Sequence, residues 1–275
     1  MTRILAALVL IVVLAVPAVF GPAWVLAILA AIVIPMCMHE FFRVAIGPDA
    51  RILGWISIAS SFPYVLFAYR GDPLACILTV GVACTALMAA SLILYERSRL
   101  KAADLAYAMS GLLYPMALIG FWVLLRVAQD GRFWMIFGLV SVFASDVGAY
   151  YAGRSLGRRK IAPRLSPKKT VEGFIGGVFL AMILGYASSL VYSLASEAIG
   201  VDTLSRAYPW WVLVSMSACI AALDLAGDLT ASLFKREFQI KDLGTLIPGH
   251  GGMLDRMDGI IPVGCLLYIA SRVVT

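Results

Sequence analysis

The stretch PLACILTVGVACTALMAASLILYERSRLK, residues 73–101, decides the fold. Its first part, 73–95, is an unbroken apolar run, closed by Glu96, Arg97, Arg99 and Lys101. A helix that crosses a bilayer takes about 20 mostly apolar residues, so this run reads as one crossing. Eight further runs read the same way: 4–20, 23–42, 54–69, 104–125, 133–153, 171–195, 209–230 and 258–274. The spacing predicts an all-α polytopic membrane protein of about nine transmembrane helices. The run 54–69 is short and holds Pro63, and Pro115 lies inside 104–125. The first run resembles a signal peptide, with Arg3 ahead of it and AVPAVFGPA, 15–23, closing it. Only a short turn separates it from the next run, so it is expected to stay as the first helix.

Composition supports the same class. Of 275 residues 62% are hydrophobic and 14% charged, and mean hydropathy is +0.93. Soluble domains average about 45–50% apolar and about 25% charged, which excludes a soluble enzyme, a disordered chain and a nucleic-acid-binding tail. Nine spans of about 20 residues use roughly two thirds of the chain. That leaves one membrane domain, 1–275, made of N-terminal helices over 1–130 and of further helices and cytoplasmic loops over 131–275. Cys37, Cys76, Cys84, Cys219 and Cys265 all lie in apolar runs without zinc-site spacing and read as small core residues.

The loops fall alternately on two sides. One side carries 17 of the 22 basic residues and the other carries 5. The rule that cytoplasmic loops collect Lys and Arg makes the first side cytoplasmic, with the N-terminus inside and the C-terminus outside. The net charge of +6 follows from this asymmetry and from anionic headgroups or substrates, with no nucleic-acid partner.

Three carboxylates stand where a bilayer disfavours them: Asp146 in 133–153, and Asp224 and Asp228 in 209–230. A charge near the bilayer centre costs at least about 2.5–3.5 kcal/mol, so such groups face water, a cation or a partner charge. Asp224 and Asp228 are four apart and share a helix face. Asp255 and Asp258 open the last run three apart. By the topology, all five lie toward the cytoplasm. Carboxylate oxygens suit a hard divalent cation, and Mg²⁺ takes one or two of them together with phosphate oxygens. Pairing with nearby Lys and Arg, or a cation or proton pathway, are the alternative explanations.

Two basic loops flank these carboxylates. GRSLGRRKIAPRLSPKKTVEG, 153–173, offers seven cations, with Ser166 and Thr170 as hydroxyl donors. Lys168 and Lys169 suit a polyphosphate; binding of lipid headgroups alone would use the same charges. Gly173, Gly176 and Gly177 open the next helix, where backbone N–H groups can approach an anion. Gly173 and Gly177 also form a GxxxG packing pair. The second loop, KREFQIKDLGTLIPGHGGMLDRMD, 235–258, gathers Lys235, Arg236, Lys241 and Arg256 around His250, Gly251 and Gly252. The HGG step allows close backbone approach to a ligand, and His250 is given a phosphate or proton role. GRSLG at 153–157 lacks the strand-turn-helix setting of a hydrolase serine. HEFFR at 39–43 lacks the second histidine of a zinc-protease helix, so His39 and Glu40 are expected at an interfacial helix end.

SLFKREFQIKDLGTLIPGHGGMLDRMD, 232–258, resembles the signature of the phosphatidate cytidylyltransferases, or CDP-diacylglycerol synthases. The likeness runs through Ser232, Lys235, Arg236, Lys241, Asp242, Gly244, Pro248, His250, Gly251, Gly252, Asp255, Arg256 and Asp258. SDVGAYYAGRSLGRRKIAPRLSPKKTVEG, 145–173, resembles the same family. The resemblance implies a polytopic helical enzyme of the cytoplasmic membrane, dimeric, using Mg²⁺ to turn CTP and phosphatidate into CDP-diacylglycerol and pyrophosphate. Under it, Asp224, Asp228, Asp255 and Asp258 hold one or two metal ions, and Asp146 is a further ligand or a nucleotide contact. Lys235, Arg236, Lys241, His250 and Arg256 then act at the phosphates, with Ser166, Lys168, Lys169, Thr170, Gly251 and Gly252 binding substrate. A CTP-dependent kinase of polyprenol or another lipid alcohol, and a cation-coupled transporter, are the alternative functions.

Overall fold

The computed structural model describes residues 16–17, 19–97, 100–198, 208–244 and 251–273. Seven helices among these are long and apolar enough to cross a membrane, so the chain is an integral membrane protein. They are α1 (Ala23–Ala45), α2 (Arg51–Tyr69, led in by a 3₁₀ turn at Pro48–Ala50), α3 (Pro73–Arg97), α4 (Ala102–Val127), α5 (Gly131–Leu156), α6 (Val171–Ala198) and α7 (Trp210–Glu237). They match the second to eighth apolar runs. The first run, 4–20, lies almost wholly outside the described residues. The last run, 258–274, divides into a turn and the 11-residue helix α9 (Val263–Val273), preceded by the single turn α8 (Leu254–Met257).

The chain forms two compact units. The first comprises Met1–Val127 and Glu237–Met257, and therefore α1 to α4 with α8. Helix α4 is regular except at Leu112–Ala117, where it widens to a π turn. Pro115 lies there; a proline has no N–H and its ring clashes with the carbonyl four residues back, at Gly111. Pro63, by contrast, is carried inside an unbroken α2. The Asp104 carboxylate is buried and ties the connection before α2 to the start of α4, accepting from the N–H of Gly47 and of Lys101, both at 2.9 Å. Helix α3 is the least covered: Leu74, Ile77, Val82 and Leu92 are all exposed, as side chains facing lipid would be.

The second unit comprises Ala128–Arg236 and Asp258–Thr275. Helices α5 and α6 lie against each other through small residues. A Cβ on Gly173 would stand 2.9 Å from the Ala149 carbonyl, and one on Gly177 would stand 2.8 Å from the Ser145 carbonyl. The GxxxG pair is therefore a packing face that brings two backbones close. Between these helices the basic loop folds into an antiparallel hairpin, β1 (Lys160–Ala162) and β2 (Ser166–Thr170), with Lys160 opposite Thr170 and Ala162 opposite Ser166. The all-α reading did not anticipate these strands. Two contacts turn the hairpin into α6. Thr170 Oγ1 accepts from the N–H of Gly173 at 3.2 Å, as a helix cap does. The Glu172 carboxylate accepts from the N–H of Arg158 and of Arg159. At the other end of α5, Phe133, Trp134 and Phe137 pack with Tyr208 in a buried aromatic cluster.

Candidate active site

The second unit holds a cavity of about 530 Å³. Three elements supply its polar lining. Helix α5 places Asp146, with Ser145 before it and Tyr150 one turn on. Strand β2 places Ser166, Lys168, Lys169 and Thr170. Helix α7 places Asp224 and Asp228. The four-residue spacing puts the last two carboxylates one above the other on the cavity side. Asp224 is buried, and Lys169 reaches Asp228 in an ion pair whose side chains remain 25% and 32% exposed. A strand carrying two lysines thus crosses a helix face carrying two aspartates.

The turn ahead of α9 brings a fourth carboxylate to this cluster. A Cβ on Gly227 would collide with the Asp258 carbonyl, and one on Gly259 with Asp224 Oδ1. Asp258 therefore lies against α7 between the two aspartates, and its carboxyl hydrogen-bonds Asp228 and accepts from the N–H of Gly259 at 3.0 Å. Burial, and then the Asp228 charge, push the Asp258 carboxyl above the ordinary carboxylate range, while Lys235 acts the other way. Asp146 and Asp224 are electrostatic neighbours of each other and of Asp228. Four carboxylates thus share one neighbourhood, with Lys169 seated on one of them.

The remaining sequence-derived candidates are distributed differently. Lys235 and Arg236 end α7 in the same unit, where Arg236 Nε points to the Leu165 carbonyl at 3.4 Å. Lys241, Gly251, Gly252, Asp255 and Arg256 belong to the first unit. There Asp255 Oδ2 accepts from the N–H of Leu243 at 2.8 Å and of Gly252 at 3.2 Å. The expectation that Asp255 ligates the same ion as Asp224 rests on the sequence alone. Gly251 has φ +82°, a conformation that favours glycine. His250 lies outside the described residues.

Glu40, near the C-terminal end of α1, is 2% exposed, and its carboxylate accepts from the N–H of Met253 and of Leu254, each at 3.0 Å. His39 beside it is exposed and leans on Trp55. The signal for Glu40 was present: an acid inside the apolar run 23–42 raises the same question as Asp146 or Asp224. Ser145 and Tyr150 are also new to the site, and nothing in their spacing marked them.

The donor set fits a hard divalent cation. Among the described residues no three acidic, His or Cys side chains converge as a ready-made metal cage. Mg²⁺ does not need one, because it commonly binds through one or two carboxylates and completes its shell with substrate phosphates and water. Asp224, Asp228 and Asp258 are the carboxylates this cavity region has for such an ion, and the lysines of β2 bring positive charge beside them.

The chain is similar to known proteins along most of its length. A phosphatidate cytidylyltransferase of Staphylococcus aureus (strain COL) is 29% identical over 250 residues, covering 90% of this chain and 91% of the relative. Those of Bacillus subtilis (strain 168) and Haemophilus influenzae (strain Rd) are 37% identical over 140 residues and 38% over 130, covering 51% and 47% of this chain and 48% and 42% of theirs. The profile of the Cytidylyltransferase family matches residues 1–274, and the chain belongs to that family.

Proposed function

We infer that the chain transfers the cytidylyl group of CTP to phosphatidate, forming CDP-diacylglycerol and pyrophosphate. The observation that carries this reading is the cavity where Asp146, Asp224 and Asp228 face Lys168 and Lys169, in a member of the Cytidylyltransferase family. An oxygen of the phosphatidate phosphate attacks the α-phosphorus of CTP. The bond from that phosphorus to the β-phosphate oxygen breaks, and pyrophosphate leaves. The nucleophile is already ionised near neutral pH, so no strong general base is required. The protein's work is to orient two anions and to balance their charge.

Lys168 and Lys169 bind the triphosphate from β2, with Ser166 and Thr170 as hydroxyl partners. Lys235, Arg236, Lys241 and Arg256 serve the pyrophosphate and the lipid phosphate, and His250 acts at the phosphates. Gly251 and Gly252 let backbone approach the substrate. Asp224, Asp228 and Asp258 would hold one or two Mg²⁺ ions, with Asp146 as a further ligand or a nucleotide contact. Such an ion, when bound, neutralises charge on the α-phosphate and on the departing pyrophosphate. We place the site on the cytoplasmic face of the cytoplasmic membrane, where CTP is dissolved and phosphatidate enters from the inner leaflet, and take the working form as a homodimer.

The test is turnover by detergent-solubilised protein given labelled CTP and phosphatidate. Pyrophosphate with CDP-diacylglycerol supports the reading. CDP with a phosphorylated lipid alcohol would make the protein a CTP-dependent lipid kinase, and no turnover on either acceptor would return the aspartates to a transport role.

A further inference from the structure

We propose that Glu40 is a positioning residue of this enzyme, holding the backbone at 252–254 so that Asp255 and Arg256 take their working places. A carboxylate inside an apolar helix is retained where it meets charge or dipoles that replace water. Those dipoles are the N–H groups of Met253 and Leu254, 213 and 214 residues away in sequence and 3.0 Å away in space. The neighbouring glycines are shaped by the same carboxyl group. A Cβ on Gly244 would come within 2.7 Å of Glu40 Cγ, and one on Gly252 would stand 2.9 Å from Glu40 Cδ and 2.7 Å from the N of Gly244. Glu40 thus fills the narrow gap between two limbs of one segment, 243–244 and 252–254.

Asp255 joins the same limbs from the far side, since its Oδ2 holds the N–H groups of Leu243 and Gly252. Two carboxylates therefore clamp one stretch of backbone, and the one from α1 reaches it from outside the signature. This stretch carries Gly252 and Arg256, two residues of the proposed site. The inference rests on the cytidylyltransferase reading and adds to it a residue of the N-terminal helices.

Glu40→Gln keeps the length of the side chain but turns one acceptor into a donor that faces a backbone N–H. Hydrogen exchange and steady-state kinetics on the full chain in uncharged detergent test the proposal together. Expected are amide exchange over 251–256 faster by roughly tenfold or more, as for loss of a hydrogen bond to a charged group. Exchange in α7 should be unchanged, and kcat per folded molecule should fall by a similar factor. Glu40→Asp, which keeps the charge and both acceptors, should recover part of the turnover; a residue needed only for folding gives normal kcat in whatever folds. Faster exchange with normal turnover would overturn the proposal, as would lost turnover with unchanged exchange at 251–256. If Glu40→Gln does not fold, Glu40→Asp carries the same two measurements. Failure of the wild-type protein to convert CTP and phosphatidate would bring down the functional reading instead, while the exchange arm still judges the clamp.

Discussion

Replacing Lys169 by Met is the sharpest probe of the cavity, because it should tighten Mg²⁺ binding while weakening the use of CTP. The ammonium of Lys169 sits on Asp228, one of the carboxylates assigned to Mg²⁺. It therefore competes with a cation for that carboxylate while offering charge to a phosphate. Two unit charges about 4 Å apart interact by about 1 kcal/mol in water and about 4 kcal/mol at the effective dielectric near a protein surface. The pair keeps a quarter to a third of its exposure, which points to the lower part of that range. About 1.4 kcal/mol is a tenfold change in an equilibrium constant. Lys169→Met should thus lower the half-saturating Mg²⁺ concentration by roughly tenfold. The same change removes a charge-assisted contact to the nucleotide, worth about 1.5–3 kcal/mol, and should reduce kcat/KM for CTP tenfold or more. The assay is CDP-diacylglycerol formation with Mg²⁺ and CTP varied independently in uncharged detergent. A half-saturating Mg²⁺ concentration that rises or stays constant would refute the assignment of Asp228 to the metal.

Asp224→Asn should abolish most turnover with little change in thermal midpoint; a purely structural carboxylate would instead lower the midpoint and leave kcat of the surviving fraction near normal. Gly227→Ala presses a methyl group on the Asp258 carbonyl and should lower kcat about as much as Asp258→Asn, with a drop of a few degrees in the midpoint that Asp258→Asn lacks. A reporter fused after the last residue should be active only on the exterior side, and a cytoplasmic signal would mean that a span has been miscounted.

What the sequence made legible follows from the strength of each signal. A run such as 73–95 can satisfy its backbone in lipid only as a helix, so seven of the nine runs have long helical counterparts close to their expected limits. Of the last run only Val263–Val273 is helix among the described residues, because Asp258 and Gly259 are apolar only in their company and form a turn. The hairpin 160–170 escaped because a segment dense in lysine and arginine gives no apolar alternation. Its two short strands are closed by the Glu172 carboxylate and the Thr170 cap, contacts that no periodicity records.

The deeper limit concerns the partners of buried charge. The cost of an acid in an apolar run was readable for Asp146, Asp224 and Asp228, and it pointed to cations. Glu40 carries the same cost, yet its answer is a pair of backbone N–H groups rather than a cation. A backbone amide has no signature in sequence, since every residue but proline owns one. Only chain geometry can bring Met253 and Leu254 to α1, and nothing at residue 40 announces position 253. Composition therefore identifies which carboxylates need a partner, whereas the fold decides whether that partner is Lys169, as for Asp228, or an amide, as for Glu40. The two answers have different chemical uses. A carboxylate balanced by a lysine can exchange it for a metal ion, and one saturated by amides is committed to holding the chain in place.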